Sequence, residues 1–206
     1  MKRRDFLLTS SIGAAGVLAG TAAHAQMDMQ MPMNHAAPAA SEYGLTLKLR
    51  VDTNPLENEF EKYPTCTYCG MNRMQFSHTR HLIVYENDMV DGTCSIKCAA
   101  VGLALNLDWS PKVIYAGDAG DPAEVKPAID TAAAYYVIDP GKMGTMSPIS
   151  KWAYSDKAKA EAAAAAPGAV LTDFNGALQA AYDGIIADTN RTRAKRAEKR
   201  AAAMKG

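Results

Sequence analysis

Four cysteines fall in two pairs, Cys66-Thr67-Tyr68-Cys69-Gly70 and Cys94-Ser95-Ile96-Lys97-Cys98, and the 206-residue chain contains no others. In the first pair, a two-residue gap followed by glycine lets a tight turn aim two sulfurs at one point, with Gly70 free to take a positive φ. The second pair sits where a helical pattern begins, so backbone N–H groups and the helix dipole favour thiolate over thiol. Joined by a hairpin, the two pairs can close a tetrahedral S4 site suited to Zn(II), or to Cu(I) as a soft competitor. Two other uses of the same thiols stay open. An even count permits two structural disulfides in an oxidising compartment. A redox C-x-x-C pair is the third option, although such motifs sit where a strand enters a helix, and Gly70-Met71-Asn72 opens no evident helix.

The compartment follows from the first residues. Lys2, Arg3 and Arg4 precede Asp5-Phe6-Leu7 and a mildly apolar run to Ala23, and Ala23-His24-Ala25 supplies a small-x-small cleavage pattern. Residues 1–25 therefore read as a signal peptide of the twin-arginine type, which exports folded cargo, and the mature protein is expected in the periplasm. Cargo folded among reduced thiols can take up a metal before export, which favours the metal reading of the knuckle. No cysteine is placed for lipid attachment at the cleavage site, and no apolar run reaches the ~18 residues that a membrane span requires.

Composition divides the mature chain into three. Residues 26–41 carry Met27, Met29, Met31, Met33 and His35 among polar residues without helical or strand period, and read as a disordered arm. Four thioethers in register with an imidazole nearby suit Cu(I) capture and rapid exchange. Residues 42–188 hold nearly all the large apolar side chains and form the expected folded domain. Residues 189–206 are a basic tail, with seven Lys and Arg against Glu198 alone, a net of +6. Residues 26–188 carry 12 basic and 20 acidic residues, a net of −8, so the overall balance of 22 against 22 conceals an acidic body with a basic end. The balance excludes a globally basic nucleic-acid binder. The tail reads as a solvated helix extension, with contact to an acidic partner or anionic lipid as the lesser reading.

Strands are expected at residues 45–51, 81–86, 112–116 and 133–138, and helices over 95–107, from Ser155 to a stop at Pro167-Gly168, and after Thr172 with Phe174, Leu178, Ala181 and Ile185 facing inward. The order β, knuckle, β, α, β, β, α, α argues for an α+β fold of small mixed or antiparallel sheets. Trp109, Trp152 and the tyrosines are candidate core residues. Met143 and Met146 can serve either as core filling or, for Met146, as a thioether donor. His78 is a candidate ligand or a satisfied structural histidine. It cannot join His81 on one ion if both lie in a strand, because residues three apart point to opposite faces.

The paired cysteines resemble the treble-clef knuckles of TRASH and YHS modules. More closely, Tyr63 to Met71, Ser77 to Tyr85 and Gly92 to Ala100, followed by Tyr136-Val137-Ile138, Lys142 to Met146 and Lys151 to Tyr154, resemble the nitrous oxide reductase accessory protein (NosL) family over residues 60–182. That resemblance implies an α+β domain related in topology to organomercurial lyase and a periplasmic copper-handling role. It implies delivery of Cu(I) to a copper enzyme such as nitrous oxide reductase, and it places the family's C-G-M and G-x-M elements on Cys69-Gly70-Met71 and Gly144-Thr145-Met146. The lipoprotein members' N-terminal cysteine has no counterpart here. An enzyme, either a thiol-disulfide exchanger or a carbon–metal lyase, is the competing class. A lyase needs an acid beside a free thiol pair, and no Asp or Glu flanks the cysteines in sequence.

Overall fold

The computed structural model describes residues 49–204. The signal segment, the methionine arm with Met27, Met29, Met31, Met33 and His35, and most of the first expected strand lie outside the described residues. The chain runs β1 (Arg50–Val51), α1 (Glu59–Lys62), β2 (His81–Tyr85), β3 (Met89–Thr93), α2 (Ile96–Leu105), β4 (Pro111–Gly117), β5 (Ala128–Asp130), β6 (Tyr135–Asp139), β7 (Ser150–Tyr154), α3 (Lys157–Ala164), β8 (Val170–Thr172) and α4 (Phe174–Ala203). This is an α+β fold, as expected.

Two antiparallel sheets carry the strands, one ordered β1-β3-β2-β4-β5 and the other β7-β6-β8. They meet where Ala119 N–H donates to the Ala153 carbonyl at 2.8 Å. Strand β2 is buried on both faces. Leu82 and Val84 pack with Tyr63 and Val90 on one side, and Ile83 and Tyr85 pack with Trp109, Met89 and Ala99 on the other. At the end of β4, a Cβ on Gly117 would lie 1.8 Å from the Ser77 carbonyl oxygen, so only glycine lets the 77–80 turn close onto the strand.

A third cluster joins the sheets through helices. Ile96 and Ala100 of α2 and Ala177 and Ala181 of α4 meet Ala116, Ala134, Tyr136 and Ala153, with Phe174, Leu178 and Ile185 packed around them. The inward stripe of the last helix is thus as expected. Its alanines are what permit close helix approach, which explains how a chain rich in Ala still closes a core.

The helix caps fall one residue later than expected. Asp156 caps α3 and Asp173 caps α4, each accepting from the N–H three residues on. Ser155 instead donates its hydroxyl to the Asp118 carboxylate, and Thr172 ends β8. Helix α4 continues without a break through residue 189 to Ala203.

Candidate metal centre

The knuckle forms between Thr65 and Asn72, which face each other across an antiparallel bridge. Cys66 N–H donates to the Met71 carbonyl at 2.8 Å, and Gly70 N–H donates to the Cys66 carbonyl at 3.0 Å. Gly70 sits at φ 76°, the left-handed turn that its place after the second cysteine requires. The second pair leaves β3. Cys94 precedes the cap Ser95, whose Oγ accepts from Cys98 N–H at 3.4 Å, so the start of α2 turns both sulfurs back toward the knuckle. Thr79 Oγ1 donates to the Cys94 carbonyl at 2.7 Å and fixes its position.

All four Sγ atoms lie within 4.8 Å of one another. Cys69 and Cys94 are 3.3 Å apart, Cys69 and Cys98 3.8 Å, and Cys94 and Cys98 3.9 Å. A regular tetrahedron of thiolates around Zn(II), with Zn–S near 2.3 Å, has edges of about 3.8 Å. The thiols are free, and their closest approach far exceeds the ~2.05 Å of a disulfide. Cys66, Cys94 and Cys98 are buried, and Cys69 reaches solvent. Tyr68 and Met71 pack against the sulfurs. Four thiols this close cannot all ionise without a cation. Hydrogen bonds from Cys94 and Cys98 push the Cys66 thiol down, and the same contacts to Cys66 push Cys94 and Cys98 up. A soft cation bound there would have to displace the protons that remain on the thiols.

Behind the knuckle lies a buried ion network. Arg73 is fully enclosed and donates to the carbonyls of Thr93 (3.1 Å), Tyr63 (2.8 Å) and His81 (3.1 Å) and to the Glu59 carboxylate (2.7 Å). Arg80 grips both oxygens of Glu59 at 2.9 Å. Burial alone would raise the Glu59 carboxyl, but the two guanidiniums outweigh it and hold the group below its ordinary range. A Cβ on Gly92 would come within 3.1 Å of Arg73, so the glycine in β3 makes room for this guanidinium. On the other side, Tyr68 donates its hydroxyl to the buried Asp91 carboxylate, and Asn106 donates to both Tyr68 (3.3 Å) and Tyr85 (3.2 Å). Burial pushes Asp91 up to about 6, and its Oδ1 has no partner.

The other candidates are placed differently. His78 stands edge-on to Trp152, ring centroids 5.5 Å apart, and is not part of the sulfur cluster. His81 is a satisfied core residue, its ring nitrogens 3.0 Å from the Thr79 carbonyl and from the Tyr136 hydroxyl. Met143 and Met146 are exposed, so the core reading of both is corrected: their loop turns outward at Met146, which takes φ 61°. Lys97 Nζ donates to the Met146 carbonyl at 3.0 Å, tying this loop to the residue before Cys98. Sequence reasoning missed Glu59, Arg73 and Asp91, whose partners lie between 8 and 23 residues away.

A family model for NosL matches residues 57–180, more than half of the chain. The chain belongs to the NosL family. Membership sets it among accessory proteins rather than enzymes. The crystal structure of the copper chaperone NosL from Shewanella denitrificans is 23% identical, with 54% of this chain and 87% of that one covered and a TM-score of 0.43. No curated protein matches the sequence. Both cysteine pairs and the Arg73 network lie inside the segment that the NosL family model matches.

Proposed function

We propose that this protein is a copper-binding accessory protein that receives Cu(I) and passes it on by ligand exchange. The observation that carries the reading is the convergence of four sulfurs on one point with one of them, Cys69, open to solvent. Soft thiolates select Cu(I) over harder ions, and a solvent-reaching ligand gives an incoming donor a place to attack. Met71 against the cluster and Met146 on the surface supply thioethers for the exchange, and Met27, Met29, Met31, Met33 and His35 on the arm make a first capture. His78 serves as a further donor only if its ring leaves Trp152. NosL membership supports copper handling, and the signal at residues 1–25 supports twin-arginine export to the periplasm, where a copper enzyme such as nitrous oxide reductase is the client.

The second reading, favoured by the near-tetrahedral spacing, is a structural Zn(II) in the cysteines with copper confined to the methionines. Native mass spectra of protein purified anaerobically, before and after titration with buffered Cu(I), decide between them. Cu(I) filling or displacing metal at the cysteines supports the exchange site. Retained Zn(II) with additional Cu(I) assigns the knuckle to scaffold. A mass short of two hydrogens per cysteine pair, with no metal, refutes both.

A further inference from the structure

The cysteine cluster is joined to the most basic part of the molecule by one buried residue. Asp188 accepts from Lys97 Nζ at 2.7 Å and pairs with Arg191, so it pins α4 to the residue beside Cys98. A groove of about 380 Å³ opens there, lined by Lys97, Met143, Met146, Pro148, Asp188 and Arg191. Met143 is 82% exposed and Met146 43%. From this groove α4 runs on through residues 189–203, about 22 Å at 1.5 Å per residue, and from Asn190 onward every described side chain is exposed.

The chemistry of this extension is one-sided. Arg193, Arg196 and Arg200 share one face, Arg191, Lys195 and Lys199 a second, and Ala194, Ala197 and Ala201 a third. Of the six cations, Arg191 alone forms an ion pair among the described residues. Like charges at i,i+4 repel, and among the described residues nothing offsets that repulsion beyond the Arg191–Asp188 pair. A surface membrane helix would place Leu, Phe or Trp opposite its cations, and here stand only alanines. A nucleic acid or an anionic membrane would bring no soft donor to the exposed methionines at the root of this helix.

We propose that the groove and the exposed half of α4 form one docking face for an acidic protein partner. The partner's carboxylates would lie along the arginine stripe, and its metal-exchanging segment would enter beside Met143 and Met146. This rests on the copper-transfer reading and adds to it the charge and position of the partner. Asp188 is a positioning residue here, setting the direction of the charged helix relative to the sulfurs.

The test uses the full mature chain and fluorescein-labelled poly-L-glutamate of 20 residues. Anisotropy in 100 mM salt should show binding that weakens at least tenfold in R193Q/R196Q/R200Q, a variant that keeps good helix formers. Peroxide footprinting read by mass spectrometry should show Met143 and Met146 oxidising at least threefold more slowly in the complex. Unchanged binding by the variant, or no protection of the two methionines, would overturn the proposal. So would tighter binding to phosphatidylglycerol vesicles or to a single-stranded oligonucleotide of equal charge, or a self-association in sedimentation that the variant abolishes. Cu(I) stoichiometry is read separately by native mass, because the three arginines are not ligands. Loss of copper binding with docking intact would therefore overturn only the copper reading.

Discussion

Replacing Arg73 with methionine keeps a long apolar side chain and removes the charge that joins the knuckle to the sheet. The change leaves Glu59 with one guanidinium instead of two and removes the Arg73 donor from the carbonyls of Thr93, Tyr63 and His81, the last of which still accepts from Thr93 Oγ1 at 3.4 Å. Breaking a buried ion pair from one side costs about 3–5 kcal/mol, and a buried acceptor left bare about 1–3 kcal/mol, although the two do not add in full. A loss of about 4 kcal/mol is expected, a large share of the ~5–15 kcal/mol a domain possesses. With a urea slope of about 2 kcal/mol/M, the unfolding midpoint should fall by roughly 2 M. The assay is urea unfolding of metal-free protein in reductant, followed by Trp109 and Trp152 fluorescence. The double variant with Glu59→Gln should show coupling of about 1–3 kcal/mol between the positions. A midpoint shift under ~0.5 M, or additive effects, would refute the assignment of Arg73 as the tie.

Other predictions concern the site and its surroundings. Asp91 is raised from its ordinary 3.8 to about 6 by burial, so the folded state binds the extra proton and stability falls as pH rises from about 4 to 6, then levels. The difference in stability between wild type and Asp91→Asn should change across that window by up to about 3 kcal/mol, and parallel profiles would refute it. His81, lowered to about 3 by burial, has the opposite sign: its unfolded form binds the proton, so its contribution is lost as pH falls from 6.5 toward 3. His81→Gln should flatten that part of the acid unfolding curve measured by circular dichroism. Gly70→Ala, forced to φ 76° in open space, should cost about 1–2 kcal/mol and weaken metal affinity measured by chelator competition. Cys94→Ser should abolish the thermal stabilisation that added metal gives, while Gly117→Ala, with its Cβ 1.8 Å from a carbonyl, should fail to accumulate as folded protein.

The parts legible in the sequence were those with a local cause. Gly70 after the second cysteine, Ser95 at the start of the expected 95–107 helix and the Phe174 to Ile185 stripe each carry their geometry in neighbouring residues. Strand β3 does not, because Met89–Thr93 is buried on both faces and shows no alternation, and its Asp91 and Gly92 are poor strand formers. Those two residues are there for Tyr68 and Arg73, which only the fold brings near. Met143 and Met146 look apolar enough for a core, yet the left-handed turn at Met146 directs their loop outward, a conformation that methionine does not advertise. The short strands β5 and β8, three residues each, are set by the partners they pair with and not by their own composition.

The Arg73 clasp also bears on how copper would leave under the transfer reading proposed above. Classical zinc fingers collapse when emptied, so their ion is held by the whole free energy of folding. Here guanidinium, carboxylate and backbone carbonyls tie the segment after the knuckle to α1, β2 and the end of β3 through groups that are not candidate metal ligands. On the proposed copper-transfer reading, unloading would need only the exchange of sulfur ligands at the Cys69 side, and the emptied protein would keep its receptor shape for the next ion. A carrier of that kind would cycle many times without refolding.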